Sequence, residues 1–185
     1  MTPGAHLLIS WLSTVEILKN RRERTLVALA GVAPDADGLG IIIDKVSGST
    51  DYYFRFHHYL GHSMVFAFVF ATIASLLAKS QKLTVWLLSF TLVHVQILCD
   101  VIGSRGPDGF QWPIYYLYPF KPEFALTWSH QWELNAWPNI VIMVFLLAAS
   151  LYYAAKNKIT FLEVFSPRLN NEAFNMYNKY VRKNS

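Results

Sequence analysis

LTVWLLSFTLVHVQILCDVI, residues 83–102, decides the fold. A transmembrane helix needs about 20 predominantly apolar residues, and this run supplies them with one formal charge, Asp100. A second run, AWPNIVIMVFLLAASLYYAA at 136–155, carries no charge. Working outward, 63–78 reaches span length if a few flanking residues join it. The runs 6–18 and 25–34 are shorter. They read as half-spans or tilted helices, tolerable where their ends are buried in protein. The expected fold is all-α: a polytopic membrane bundle of about five apolar helices, some short, over residues 1–158. Residues 159–185 are expected to form a cytoplasmic amphipathic tail lying on the surface.

Composition agrees. The 185 residues are 54% hydrophobic and 15% charged, against about 45–50% and about 25% in soluble domains. The basic residues punctuate apolar runs instead of forming one face, which argues against nucleic-acid binding. The single cysteine, Cys99, excludes an intramolecular disulfide framework. No positive leader precedes the first apolar run, so residues 1–18 are expected in the mature chain.

Basic clusters mark the turns: KNRRER (19–24), KSQK (79–82) and KNK (156–158). If the helices alternate, these clusters and the tail share one side with twelve of the sixteen Lys/Arg. Lys45, Arg55, Arg105 and Lys121 take the other. The positive-inside bias makes the first side cytoplasmic. Eight of the twelve acidic residues fall on the opposite, extracytoplasmic side.

Metal-ligand side chains gather there too. The alternation delivers His6, Asp35 and Asp37 of PDAD, His57, His58 and His62 of HHYLGHS (57–63), Asp100 and His130 to one membrane face. Imidazoles and carboxylates suit zinc, with manganese or iron as alternatives. Ionisable groups at membrane depth are functional candidates by default. The expected ligand set of a divalent metal is His6, Asp35, Asp37, His57, His58, His62 and Asp100. Each piece also has a local reading. PDAD can be a capped turn, Asp100 can pair with Arg105, and His57 and His58 can be interfacial polar residues. On a helix, His58 and His62 stand about 40° apart and face one point. His57 joins them only from a loop entering that helix, and Gly61 admits another backbone. His94 lies about 120° from the face of Asp100 and is expected to bond to a neighbouring helix. Gln96 shares the Asp100 face and suits holding a ligand or a water in place.

An early His, then Pro-Asp-x-Asp, then a His-rich segment ending in His-Ser, then a polar residue four before Asp: this order resembles the membrane-bound, metal-dependent hydrolases of the LexA-regulated inner-membrane type. The match covers roughly residues 1–120. The resemblance implies a small helical inner-membrane protein with a metal site and hydrolase activity. By position its ligand-type residues fall on His6, Asp35, Asp37, His57, His62 and Asp100. His58 stands where that family often has another polar residue. One departure is Gln96, where the family commonly has His in His-x3-Asp; this chain reads QILCD (96–100).

The stretch 103–135 holds four prolines and many aromatics, with a turn signal at GPDG (106–109). Trp112, Tyr115, Tyr116, Tyr118 and Phe120 suit the headgroup region. It reads as a membrane-surface loop, or as a lid over the metal face with Arg105 meeting a phosphate.

The leading functional expectation is a metal-dependent hydrolase acting on a phosphoester or lipid-like substrate at the membrane interface, with Asp37 as general base. Membrane lipid is the expected partner. The alternatives are a non-catalytic metal-binding or transport-related membrane protein, and a polar cluster that only packs helices.

Overall fold

The structure, a computed structural model, describes residues 1–106 and 108–180. Pro107 of the GPDG turn, and Arg182 and Lys183 of the tail, lie outside the described residues. Among the described residues eight α-helices follow in order: α1 (Pro3–Thr14), α2 (Arg21–Ala30), α3 (Gly40–Ser47), α4 (Tyr52–Phe56), α5 (Met64–Leu77), α6 (Lys82–Gly103), α7 (Trp137–Asn157) and α8 (Pro167–Tyr180). Short 3₁₀ helices occupy Ala33–Leu39 and Phe161–Val164. Among the described residues there are isolated β-bridges but no strand.

Among the described residues two helices, α6 and α7, are long and apolar enough to cross a membrane. A third span exists if α2 and the segment Ala33–Ser47, bent by 52° at their junction, count as one. The other apolar runs, two of them expected to be short, do not reach span length. The shortfall is one of length: α1 has 12 residues and α5 has 14, or about 18 and 21 Å at 1.5 Å per residue. The hydrocarbon core is about 30 Å thick.

Small residues let the helices close up. Along α5 and its C-cap, Ala67, Ala71, Ala74 and Ala78 are buried at helical spacing. They form a smooth stripe, and across from it on α6 stand Val85, Ser89, Leu92 and Val93, all buried. Stripes of this kind allow close backbone approach in membrane proteins. Where α1 and α2 converge, a Cβ on Gly31 would stand 1.9 Å from Ser10 Oγ and 2.9 Å from the His6 carbonyl oxygen. Only glycine permits that contact.

The basic segments meet at one end of the bundle. The Glu23 carboxylate accepts from the backbone N–H of Lys79 and Ser80, at 3.1 and 2.9 Å. Arg24 makes two 2.7 Å bonds to Glu163, which also accepts from Trp11 Nε1 at 3.0 Å. Here the structure departs from the expected surface tail: Glu163 and Val164 are buried, and Val164 packs with Trp11, Val15 and Ala28. From this end α6 runs to Asp100, about 27 Å from Lys82.

At that far end the loop between α6 and α7 folds over the bundle. Ile114 is buried in a cluster with Ala30, Ala67, Val93 and Ile97. Tyr115 N donates to the His58 carbonyl at 3.1 Å and Met64 N to that of Tyr116 at 2.9 Å. Asn139 at the start of α7 donates to the carbonyls of Gly103 and Leu134, both at 2.9 Å. The loop is stitched down on both sides.

Candidate metal centre

Four chain segments build the site. His6 comes from the first turns of α1, where Thr2 caps the helix and Pro3 opens it. Asp35 and Asp37 lie on the 3₁₀ turn after α2. Asp100 and Gln96 share a face near the end of α6 and are both buried. The histidines His57, His58 and His62 stand on the loop before α5; a loop position was expected for His57, whereas the spacing of His58 and His62 suggested a helix. Ser63 caps α5, its Oγ accepting from Phe66 N at 3.1 Å, so the helix begins only at Met64. The loop is seated by Gly61, where a Cβ would stand 2.1 Å from the Pro34 carbonyl oxygen.

His58 has φ +70°, a left-handed conformation uncommon for a side-chain-bearing residue. Two bonds hold it there: its N–H donates to Asp37 Oδ2 at 3.0 Å, and its carbonyl accepts from Tyr115. Strain of this kind concentrates at functional sites.

Asp37 organises the loop. Its Oδ1 lies 2.9 Å from His57 Nδ1 and its Oδ2 lies 2.9 Å from His62 Nδ1. The other His62 nitrogen, Nε2, faces Asp100 Oδ2 at 3.4 Å and Asp35 Oδ1 at 3.8 Å. His6 Nε2 is 3.2 Å from Asp100 Oδ1, which also takes the α-amino group of Met1. Two groups of donor atoms result, each within 4.8 Å: His58, His62 and Asp100, and His6, Asp35 and Asp100. They share Asp100. Five of the seven expected ligands thus converge, while Asp37 and His57, bonded to each other, lie outside the two groups. His130 is exposed and 3.1 Å from Ser129 Oγ. His94 donates from Nδ1 to the Phe90 carbonyl at 2.7 Å and meets Tyr116 OH at 2.9 Å.

Acidic and basic groups are crowded together here, with the Met1 α-amino group and His62 facing the carboxylates. Three carboxylates, Asp35, Asp37 and Asp100, have side chains at most 15% exposed. Buried charge is costly unless compensated. Burial opposes a positive charge on His62, but hydrogen bonds to Asp100 and Asp37 outweigh it and push its pKa up to about 9. His58 moves the other way: burial, then the neighbouring His62 and His57, hold it well below the usual histidine range. A neutral imidazole is the ligating form. Asp35 Oδ2, His58 Nδ1 and His6 Nδ1 are buried without a hydrogen-bond partner. An oxygen–nitrogen donor set with orphaned buried atoms fits a divalent metal such as zinc, manganese or iron.

A cavity of about 590 Å³ opens onto the cluster, lined by Asp35, His57, His58, Asp100, Arg105, Trp112 and Leu134 among others. Sequence reasoning gave no role to Tyr53, whose ring stacks on His57 at 4.7 Å. It also missed Gln131, which donates to the Asp100 carbonyl at 2.8 Å. Neither carries a local signal, since both contacts depend on the tertiary path of a loop.

An all-helical chain with helices of spanning length, and a buried polar cluster at one end, defines a helical integral-membrane protein. The chain belongs to the YdjM inner membrane protein family, whose sequence profile matches residues 1–166. No curated protein and no solved structure matches it. The family description gives a location, the inner membrane, and no reaction.

Proposed function

We propose that this chain is a metal-dependent hydrolase working at one face of the inner membrane. The observation that carries the reading is the pair of largely buried His/Asp groups joined at Asp100. His6, His58, His62 and Asp100 would hold the metal, with Asp35 beside it. Bound there, a divalent metal supplies a Lewis acid for the scissile group and acidifies water towards a pKa of ~7.

The chain's own residues supply the rest. Asp37, expected as general base, has both oxygens engaged by the histidine loop. It orients His62 in the manner of a carboxylate behind a ligating imidazole. Proton transfer falls to Asp35, whose Oδ1 accepts from Gln96 at 3.1 Å while Oδ2 stays without a partner. A water adding to the scissile phosphorus or carbonyl carbon loses its proton to Asp35. The leaving oxygen then takes that proton back.

The Lys/Arg distribution supports a cytoplasmic placement of the basic end, and hence an extracytoplasmic site on a chain that crosses the membrane more than once. A second reading, metal binding without turnover, is favoured by Gln96, which stands where the resembled hydrolases have a histidine.

One experiment separates the readings. Detergent-purified protein is loaded with zinc, manganese or iron, its metal content is measured by elemental analysis, and turnover is followed on phosphoester and acyl substrates. The hydrolase reading expects bound metal, turnover abolished by a chelator, and loss of both in His62→Ala. Metal without turnover leaves the binding reading. A chain that takes up no metal returns the cluster to a packing role.

A further inference from the structure

Leu134 belongs to two compartments. On one side it lines the cavity over the His/Asp cluster, with Asp35, His58, Asp100 and Arg105. On the other it lines an apolar groove of about 540 Å³ between the start of α1 and α7, with Thr2, Ile140, Met143 and Val144. The groove floor lies on α7, one of the two helices of spanning length. Ile140 and Val144 are 57% and 62% exposed. Such a face is at home in hydrocarbon and costly in water. Whatever enters the groove from the side therefore comes from the lipid phase.

The junction between the compartments is fixed and carries a cation. Leu134 N–H donates to the Arg105 carbonyl at 3.0 Å, so the end of the groove and Arg105 keep one geometry. The Arg105 guanidinium stands 3.8 Å from Glu133, too far for a good hydrogen bond, and its buried Nε has no partner. A guanidinium with free donors is the group that best grips a phosphate.

We propose that a membrane phospholipid spans both compartments, with an acyl chain in the α1–α7 groove and its phosphate at Arg105. The inference rests on the hydrolase reading only in making this lipid the substrate; the docking itself does not need turnover. Continuity supports it: an apolar groove and a cavity that carries the His/Asp cluster and Arg105 meet at Leu134, which matches an amphiphile. A water-soluble phosphoester would use only the cavity.

The test is photochemical capture in nanodiscs of the full chain. The probe is phosphatidylglycerol with a diazirine on one acyl chain, compared with diacylglycerol bearing the same chain and no phosphate. Phosphatidylglycerol adducts are expected to concentrate on residues 134–144. Val144→Trp, which fills the groove from an exposed position, is expected to lower capture there by about tenfold. Arg105→Gln is expected to bring phosphatidylglycerol down to the diacylglycerol level. Adducts spread evenly along α7 as far as the exposed Leu151, capture untouched by Val144→Trp, or equal capture of both probes would each overturn the proposal. Capture without hydrolysis by metal-loaded protein overturns the hydrolase reading alone. Hydrolysis of soluble phosphoesters without localised capture overturns the lipid proposal alone.

Discussion

Gln96 Nε2 stands 3.0 Å from His62 Nε2. The same amide nitrogen donates to Asp35 and Asp100, and these carboxylates fix the orientation of the amide, nitrogen inward. When His62 is neutral, its proton sits on Nδ1 facing Asp37, and its Nε2 lone pair faces the Gln96 amide nitrogen, whose two N–H groups three acceptors share. A donor therefore stands where a ligand would be useful. Gln96→His exchanges it for an imidazole on the same helix face. The expected result is metal binding tighter by about tenfold or more, read by competition with a chelating dye. Equal or weaker affinity would show that the cluster lacks no ligand at this position.

Asp37→Asn keeps the shape of the side chain but replaces one acceptor oxygen with a donor. His57, His62 and the His58 N–H all point at those two oxygens, so the loop loses its organiser. Metal affinity should fall about 10- to 100-fold, as for other groups that orient a ligating histidine. If affinity is unchanged and only turnover falls, Asp37 is the general base that the sequence suggests.

Metal loading should depend on pH through His62. Its pKa is pushed up to about 9, whereas a free histidine sits near 6.5. A metal must displace that proton to reach Nε2. Apparent affinity should therefore rise with pH, by up to about tenfold per unit, and level off once pH passes about 9. Isothermal titration in buffers spanning this range, with proton release measured from the buffer ionisation heat, checks it. Flat affinity below that point would mean that His62 is not a ligand.

Orientation can be tested at the turn between α5 and α6. Gln81 is exposed there, between Lys79 and Lys82. In a Cys99→Ser background, Gln81→Cys should resist a membrane-impermeant maleimide added to intact cells and react after lysis. Efficient labelling from outside would invert the chain and move the candidate site to the cytoplasmic face.

The sequence shows α6 and α7 plainly, because twenty residues with at most one charge allow little else. The identity of the clustered side chains is also legible, since histidines and aspartates in apolar surroundings are rare and costly. Their local geometry is not. Spacing put His58 and His62 on one helix face, but Ser63 caps the helix after them and Asp37 holds His58 at positive φ. The signal for a later start was present, a serine immediately before an apolar run. The helices α3 and α4 lack a long apolar period and were not anticipated. Asp44 links them, accepting from Tyr52 N and Tyr53 N at 2.8 Å each.

Glu163 is the clearest case of a residue that local pattern cannot place. Its partner Arg24 lies 139 positions away, yet the two form a buried, two-pronged ion pair. The pair ties the segment after α7 to α1 and α2, with Trp11 as a third partner. Glu163→Ala leaves the guanidinium buried and uncompensated, which typically costs about 3–5 kcal/mol. Thermal unfolding in detergent should show that loss. Bound metal per folded chain should stay unchanged, because the pair lies at the opposite end of the bundle from Asp100. Replacing both partners with apolar residues, Arg24→Met with Glu163→Leu, should recover much of the loss, since two well-packed apolar side chains often match a buried pair. If Glu163→Ala unfolds like the unmodified chain, the pair is dispensable. If it also releases metal, the two ends of the bundle are coupled more tightly than their separation along α6 implies.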